Sequence, residues 1–298
     1  MDDLLIRCSA LGYIVGKGKD RAGLTDSQTI DLKALFEKEK TLKLTEKQTE
    51  QLSTLLQKDK DSTITATQAK QLEKLILKQN SPKLTEKQAA KKLELIAKRD
   101  YKPEFDLSQT AKSYIRGIVK GVVYGTKKNI QTKPMKKGDI VECDSINLLN
   151  EVDFKRYVKN EASKKNEWIK GTCDIDDIIE SLISDIKSSW SLDTFPVLPD
   201  EIDTGTLFVN EWQLRGYMML YNRNKAEVVY CMVDTPDELL TEYDNLSIHH
   251  VSHIEPELRV TRVCFDRCEE KEELIKYKVG EARKYANWYS EQISKKYG

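Results

Sequence analysis

The sequence predicts a mixed α/β fold, an α+β arrangement around a mixed sheet, with an α-β-β-β-α-β core and a helical repeat near its N-terminus. Several short segments after residue 150 have the β-branched and aromatic composition of strands. Longer segments before and after them have the spacing of amphipathic helices. Because strands and helices do not alternate strictly, a mixed sheet is favoured over repeated parallel βαβ units.

A pattern with a period of 20 residues fills most of the first hundred positions. Its four copies contain Thr-x-x-Gln, the capping-box pattern of helix starts, at Thr25, Thr45, Thr65 and Thr85. Apolar pairs follow in the same phase, and a lysine recurs near the end of each copy, at Lys38, Lys58, Lys78 and Lys98. The pattern predicts four amphipathic helices packed as successive helical hairpins. These helices have a structural or spacing role, or they form a lysine-bearing arm that contacts nucleic acid or a partner.

Three regions are expected: an N-terminal segment over 1–23 that packs on the core, the helical repeats over 24–100, and the core over 101–298. Residues 99–108, with Pro103, have the composition of a linker. The predicted elements of the core are helices over 108–125 and 137–152, strands over 154–161, 167–176 and 180–190, a helix over 206–222, strands over 225–234 and 258–266, and a long helix from residue 269.

Composition excludes several classes of protein. No apolar run approaches the roughly 20 residues of a membrane helix, and the Met-Asp-Asp start lacks the basic residues of a signal peptide. A cytoplasmic location is therefore expected, which is the host cytoplasm if the protein is phage-encoded. The six cysteines form no C-x-x-C pair, which favours free thiols. His249, His250 and His253 lie in a loop-like segment without an evident fourth zinc ligand.

Charge is unevenly distributed along a chain whose formal net charge is zero. Residues 1–137 hold 29 Lys and Arg against 17 Asp and Glu, whereas residues 138–298 hold 20 against 32. This asymmetry indicates a half that binds a polyanion joined to an acid-rich half. The basic segment that contains Arg116 and Lys120 has interleaved aromatics and suits contact with a DNA backbone, although a solvated basic helix face is the alternative.

The segment "GTCDIDDIIESLISDIKSSW" contains Asp174, Asp185 and Lys187. Since strand side chains alternate faces, Asp185 and Lys187 share one face while Ile186 points into the core. A tight reversal near residues 176–177 would bring Asp174 beside Asp185. Paired carboxylates need a cation between them, and such hard oxygen ligands suit Mg²⁺ or Mn²⁺. The alternative is a surface hairpin whose acids face solvent.

These residues resemble a known group. Asp174, followed by Asp185-Ile-Lys187, resembles the D…(D/E)xK core of the PD-(D/E)XK nuclease superfamily. Further along, Gln213 to Tyr217 is similar to the Q-x-x-x-Y helix motif of its RecB-type branch. The resemblance therefore implies a restriction-endonuclease-like core, with the helical repeat as an insertion.

Two upstream motifs extend the resemblance. Gly138 to Glu142 resembles the G-x-x-x-E helix that supplies an additional acid, and Arg7 with Ser9 resembles the N-terminal Arg/Ser motif of lambda exonuclease and YqaJ-type nucleases. The chain departs from the pattern in having Asp185 where many members have Glu. It also lacks the cysteine staple of some RecB-type relatives.

The resemblance implies a role for each matching residue. The metal would be held by Asp174, Asp185, the Ile186 carbonyl and Glu142. Lys187 would orient the attacking water, and Gln213 would lie near Lys187 or the scissile phosphate. The residues expected to contact DNA are Arg7, Ser9, Arg116, Lys120 and Tyr217.

The implied function is that of a Mg²⁺-dependent (or Mn²⁺-dependent) exonuclease that degrades linear duplex DNA from its ends, in phage recombination or end resection. Double-stranded DNA ends and a single-strand annealing protein are the implied partners. Members of this group often close into rings, which implies a homo-oligomer. The alternatives are a structure-specific or restriction-like endonuclease on the same core, and a non-catalytic adaptor that binds DNA or a partner.

Overall fold

The computed structural model describes residues 1–16, 24–40, 44–80, 84–101, 104–126 and 131–297. The chain divides into two compact units. The larger comprises Met1–Asp20 and Phe105–Gly298, and the smaller comprises Arg21–Glu104. No helix in these described ranges is long and apolar enough to cross a membrane.

The described residues form ten α-helices and seven strands, joined by turns and short 3₁₀ segments. The helices are α1 (Leu11–Val15), α2 (Asp26–Lys40), α3 (Glu46–Lys60), α4 (Ala66–Asn80), α5 (Glu86–Asp100), α6 (Gln109–Val123), α7 (Lys133–Ile140), α8 (Glu142–Asp153), α9 (Thr204–Tyr221) and α10 (Glu269–Tyr297). The strands are β1 (Ile6–Arg7), β2 (Lys164–Lys165), β3 (Ile169–Gly171), β4 (Ile175–Asp177), β5 (Leu182–Ser188), β6 (Lys225–Cys231) and β7 (Val260–Asp266).

The strands form two sheets in the larger unit. The main sheet has the order β4-β5-β6-β7, in which β5 and β6 are parallel and the other neighbours are antiparallel. A small sheet has the order β1-β3-β2. The predicted mixed α+β class is confirmed. The small sheet was not predicted as a separate one, because its strands are only two or three residues long.

Helices cover both faces of β5. Ile183 belongs to a core cluster that includes Leu214 of α9 and Ile275 of α10. Ile186, on the opposite face, packs in a second cluster with Ile146 and Leu149 of α8. Since residues two apart in a strand share a face, this packing turns the side chains of residues 183, 185 and 187 toward α9.

Two predictions within the core were wrong. Residues 155–160 do not form a strand, because side chains hold this segment instead. Asn150 accepts from the N–H of Tyr157 at 2.5 Å and donates to its carbonyl at 3.0 Å. The helix predicted over 137–152 is interrupted at Val141, where α7 ends and α8 follows. The buried ammonium of Lys137 fixes this junction by donating to the carbonyls of Ser189, Trp190 and Val233 at 2.7–3.1 Å.

The reversal between β4 and β5 also lies further along than predicted. Asp177 still belongs to β4, and the turn occupies residues 178–181. The Asp177 carboxylate accepts from the N–H groups of Ile179 and Glu180 at 3.0 Å each. These bonds stabilise the turn after Asp177, whereas the reversal was predicted at residues 176–177.

Helices α1 and α9 approach each other closely through glycines. A Cβ added at Gly12 would lie 2.9 Å from the Cα of Val209, and one at Gly216 would lie 2.5 Å from the Cδ1 of Leu11. Real Cβ atoms do not come this close to their neighbours. Gly12 therefore requires glycine, because its neighbour is backbone, whereas the Leu11 side chain next to Gly216 can shift. The N-terminal segment is thereby packed directly on α9, the helix that faces the two predicted acids.

We expect Gly12→Ala to lower the free energy of unfolding by about 1–3 kcal/mol, because the obstacle is the backbone of α9. Chemical denaturation followed by circular dichroism measures this change. Gly280→Ala is the matched control, since a Cβ there meets nothing within 4 Å. In a helix interior it should instead stabilise the protein by about 0.5–1 kcal/mol. Equal effects of the two variants would contradict the close approach of α1 and α9.

The smaller unit consists of the four repeat helices. The predicted capping boxes form; in α3, for example, Thr45 and Gln48 exchange hydrogen bonds. The helices pair as α3 with α4 and as α2 with α5, around separate leucine clusters. The predicted successive hairpin forms between α3 and α4, whereas the prediction was wrong for α2 and α5, which pair with each other instead. Because the four copies carry nearly the same apolar positions, the pattern alone does not distinguish nested from successive pairing.

Candidate functional site

Asp174 lies immediately before β4, beside the middle of β5. Ile175 pairs with Ser184, so one further step along the ladder places Asp174 opposite Asp185. The Oδ2 of Asp174 accepts from the backbone N–H of Ile186 at 2.6 Å. Since the N–H and C=O of a residue in an antiparallel ladder face the same neighbour, the Ile186 carbonyl is expected to face this edge as well.

Asp185 is buried between β5 and α9, with 2% of its surface exposed. Its Oδ1 accepts from Nε2 of Gln213 at 2.8 Å. Its Oδ2 lies 2.7 Å from the Nζ of Lys187, yet this contact is ionic and the oxygen accepts no well-directed hydrogen bond. A buried carboxylate oxygen without such a bond is costly, and a bound cation would satisfy it.

The electrostatics of Asp174 and Asp185 also favour a bound cation. Burial, together with the nearby charge of Asp185, raises the pKa of Asp174 to about 7. Burial acts to lower the pKa of Lys187, but the carboxylate of Asp185 outweighs it and the pKa is raised. In the absence of a metal and below about pH 7, one proton and one ammonium therefore compensate the two carboxylates.

The two aspartates suit a hard divalent ion. Mg²⁺ binds through one or two carboxylates and keeps several waters, so Asp174, Asp185 and the Ile186 carbonyl fit such an ion. Among the described residues, no group of three or more His, Cys, Asp or Glu side chains is arranged to hold a metal. The structure brings the two aspartates and Lys187 together, and it does not place Glu142 with them as a third ligand.

Glu142, the first residue of α8, contacts a lysine instead. The Nζ of Lys159 lies 2.5 Å from its Oε2. Glu142 is nevertheless close enough that its charge contributes to the raised pKa of Asp174, after burial and the charge of Asp185.

Gln213 and Tyr217 lie on the face of α9 that covers β5. Besides its bond to Asp185, Nε2 of Gln213 donates to the hydroxyl of Tyr217 at 3.1 Å. Tyr217 is 5% exposed and lines a cavity of about 300 Å³ together with Arg7, Ser9 and Lys170. The structure thus places the N-terminal motif beside the helix that contacts Asp185.

Arg116 and Lys120 lie on α6, apart from this cluster. Arg116 donates to the hydroxyl of Ser113 at 3.0 Å, and Lys120 is exposed. In the part of the chain described, neither has a hydrogen bond or ion pair to the aspartates. Part of the basic segment, residues 127–130, lies outside the described residues.

The whole chain matches a solved exonuclease structure. A phage-related exonuclease from Haemophilus somnus 129PT aligns with a TM-score of 0.63 and 22% sequence identity, over 98% of this chain and 96% of that one. This chain has the fold of that exonuclease. The predicted resemblance is therefore confirmed at the level of the fold, and the aligned length includes the helical repeat.

Other comparisons add little to this match. An alkaline exonuclease from Laribacter hongkongensis aligns with a TM-score of 0.44 and 10% identity, over 63% of this chain and 86% of that one. That similarity is too low to support an inference. No protein-family model and no curated protein matches the sequence.

Sequence reasoning missed Lys159 and Asn160 of this exonuclease fold. Asn160 holds the chain next to the site, because its N–H donates to the Asp174 carbonyl at 2.8 Å and its Nδ2 donates to the Cys173 carbonyl at 2.9 Å. The only local signal was the polar sequence Lys-Asn-Glu at 159–161, within a segment that was assigned to a strand. Of the three histidines, His249 is buried and shares a hydrogen bond with Thr235.

The raised pKa of Asp174 predicts a pH-dependent stability of the metal-free protein. An aspartate of the unfolded chain titrates near pH 4, so the folded chain binds this proton more tightly. The free energy of unfolding should therefore fall as the pH rises from about 4 to about 7. Asp174→Asn removes the charge and retains an acceptor for the Ile186 N–H. It should stabilise the metal-free protein by about 2–4 kcal/mol at pH 8 and by much less at pH 5.

Urea unfolding in EDTA at the two pH values measures this difference. If the variant differed from the parent equally at pH 5 and pH 8, the assigned electrostatics of Asp174 would be contradicted.

Proposed function

We propose that this protein is a divalent-metal-dependent exonuclease that hydrolyses phosphodiester bonds of linear duplex DNA. The observation that carries the proposal is the cluster of Asp174 and Lys187 around the buried Asp185. It lies in a fold shared with a phage-related exonuclease, and its charges call for a cation. Metal-assisted hydrolysis needs a Lewis acid, an oriented water and compensation of the charge that develops on the phosphate.

Each residue of the cluster has a distinct part in this proposal. Asp174 and Asp185 hold the ion, which when bound supplies Lewis-acid stabilisation of the phosphate. Gln213 keeps Asp185 in place through its amide, which donates at 2.8 Å. Lys187 carries a proton, because its pKa is raised. It is thus suited to orient the attacking water and to balance negative charge, more than to act as a base.

The DNA is expected to bind through its backbone. The cavity lined by Arg7, Ser9, Lys170 and Tyr217 offers cationic and hydroxyl groups to a phosphate, and Arg116 and Lys120 extend the basic surface on α6. Binding of this kind depends on phosphate contacts, so it should weaken steeply with salt and show little sequence preference.

The finer assignments belong to the same proposal. They are Mg²⁺ or Mn²⁺ as the ion, end resection in phage recombination, a single-strand annealing protein as partner, a homo-oligomeric form and a cytoplasmic location. The cytoplasmic location is proposed from the composition of the chain, and the other assignments are supported by the motif resemblance described above.

The test uses an end-labelled linear duplex and a covalently closed circular duplex, each with Mg²⁺, with Mn²⁺ or with EDTA. We expect loss of the linear substrate with either metal, no reaction in EDTA and an intact circle. Cleavage of the circle would favour the endonuclease alternative. Retained DNA binding without cleavage of either substrate would favour the non-catalytic adaptor.

A further inference from the structure

Beside the proposed metal site, Lys159 forms an ion pair that the motif resemblance does not include. Its Nζ lies 2.5 Å from Oε2 of Glu142, with 44% of the lysine side chain and 20% of the glutamate side chain exposed. Ion pairs as exposed as this one contribute little stability. The ion pair is therefore weak, and a stronger ligand for Lys159 or for Glu142 can displace it.

The backbone of this segment is fixed, while the ammonium of Lys159 is held only by its exposed ion pair with Glu142. Next to it, Asn160 donates to the carbonyls of Asp174 and Cys173, and its Nδ2 also donates to the hydroxyl of Tyr221 at 3.2 Å. The lysine is thus anchored directly behind Asp174. Its four-carbon side chain can move between acceptors on the exposed side of the site.

The charges around the site determine what Lys159 can exchange. Lys187 contacts Asp185 and Lys159 contacts Glu142, while Glu142 is near enough to influence Asp174. A divalent ion at the two aspartates would attract Glu142 away from Lys159 and repel the ammonium. The released ammonium would then be available to a DNA phosphate that reaches the site.

We propose that Lys159 competes with the divalent ion for Glu142, and that the released ammonium binds a DNA phosphate. Lys159 is then a positioning residue that couples binding of the divalent ion to binding of DNA. The inference rests on the proposed function, since it requires both the ion and the DNA at this site.

Coupling of this kind has a reciprocal signature. When a DNA phosphate binds the ammonium of Lys159, Glu142 becomes available to the metal, so DNA should increase the affinity for the metal. The metal should increase the affinity for DNA by the same factor. Removing the ammonium should tighten metal binding in the absence of DNA and reduce the further gain when DNA is added.

The experiment is calorimetric titration of Mn²⁺ into the full chain, alone and with a short duplex. All of these titrations use a Lys187→Ala background, which prevents cleavage and keeps the proteins with and without DNA matched. We expect Lys159→Gln to bind Mn²⁺ about fivefold more tightly than the parent without DNA, and to lose most of the gain that DNA gives the parent. Lys159→Arg should behave like the parent. Adding Glu142→Gln should cancel the effect of Lys159→Gln, because the competing carboxylate is gone.

Lys155→Gln is the matched control. Lys155 lies in the same segment and pairs with Glu180 at 3.2 Å with a similarly exposed side chain. It should leave Mn²⁺ affinity unchanged. If the parent binds Mn²⁺ and degrades DNA, but Lys159→Gln binds Mn²⁺ no more tightly than the protein that retains Lys159, this inference alone is overturned. A parent that neither binds Mn²⁺ nor cleaves DNA would overturn the proposed function as well.

Discussion

Replacing Lys187 with alanine is expected to abolish cleavage of linear duplex DNA while leaving the affinity for DNA nearly unchanged. The ammonium lies 2.7 Å from Oδ2 of Asp185 and is the cation of the cluster that faces α9. A pre-positioned donor that stabilises developing negative charge contributes about 10²–10³-fold to the rate. Because phosphate contacts elsewhere dominate DNA affinity, binding should change by less than about threefold.

Single-turnover cleavage and fluorescence anisotropy measure the two quantities separately. Lys225→Ala is the matched control, since this lysine is exposed at the start of β6 and pairs with Leu182 at the far end of β5. Alanine at 187 also leaves the Asp185 carboxylate without its cation, so Lys187→Gln and a thermal melt accompany it. Cleavage at the parent rate by a folded Lys187→Ala protein would refute the assigned role.

Replacing Asp185 with asparagine should weaken Mn²⁺ binding by at least about tenfold, since even the groups that only orient metal ligands contribute 10–100-fold. Asp185 is buried, and its two oxygens contact Gln213 and Lys187. Asparagine preserves the shape but removes the charge and one oxygen. The loss of Mn²⁺ affinity should be accompanied by loss of cleavage. Asp174→Asn should weaken Mn²⁺ binding as well.

Calorimetry with Mn²⁺ gives the affinities directly. Asp193→Asn is the control, because Asp193 is exposed outside the cluster and should not alter metal binding. Parent-like Mn²⁺ affinity in Asp185→Asn would exclude this carboxylate as a ligand.

Sequence reasoning succeeded where the determining interactions are local. The capping box of Thr45 and Gln48 lies within one helical turn, and the alternation that places Asp185 and Lys187 on one face lies within one strand. The amphipathic spacing of α10 likewise predicts a long helix. These features required only neighbours that are close in sequence.

The failures involve contacts between distant residues. Lys137 ends a helix early because three carbonyls from 52 to 96 positions away surround its ammonium. Asn160 holds residues 155–160, which were predicted to be a strand, beside Asp174. This contact places Lys159 next to Glu142. No periodicity of the chain encodes such pairings, so the immediate surroundings of the site emerged only from the structure.

The central claim is that one divalent cation binds between Asp174 and Asp185. Anomalous diffraction at the manganese edge, from crystals grown with Mn²⁺, tests this most directly. The account predicts a peak within about 2.5 Å of an oxygen from each aspartate. Peaks only elsewhere on the protein, with the two carboxylates turned apart and contacting water, would contradict it.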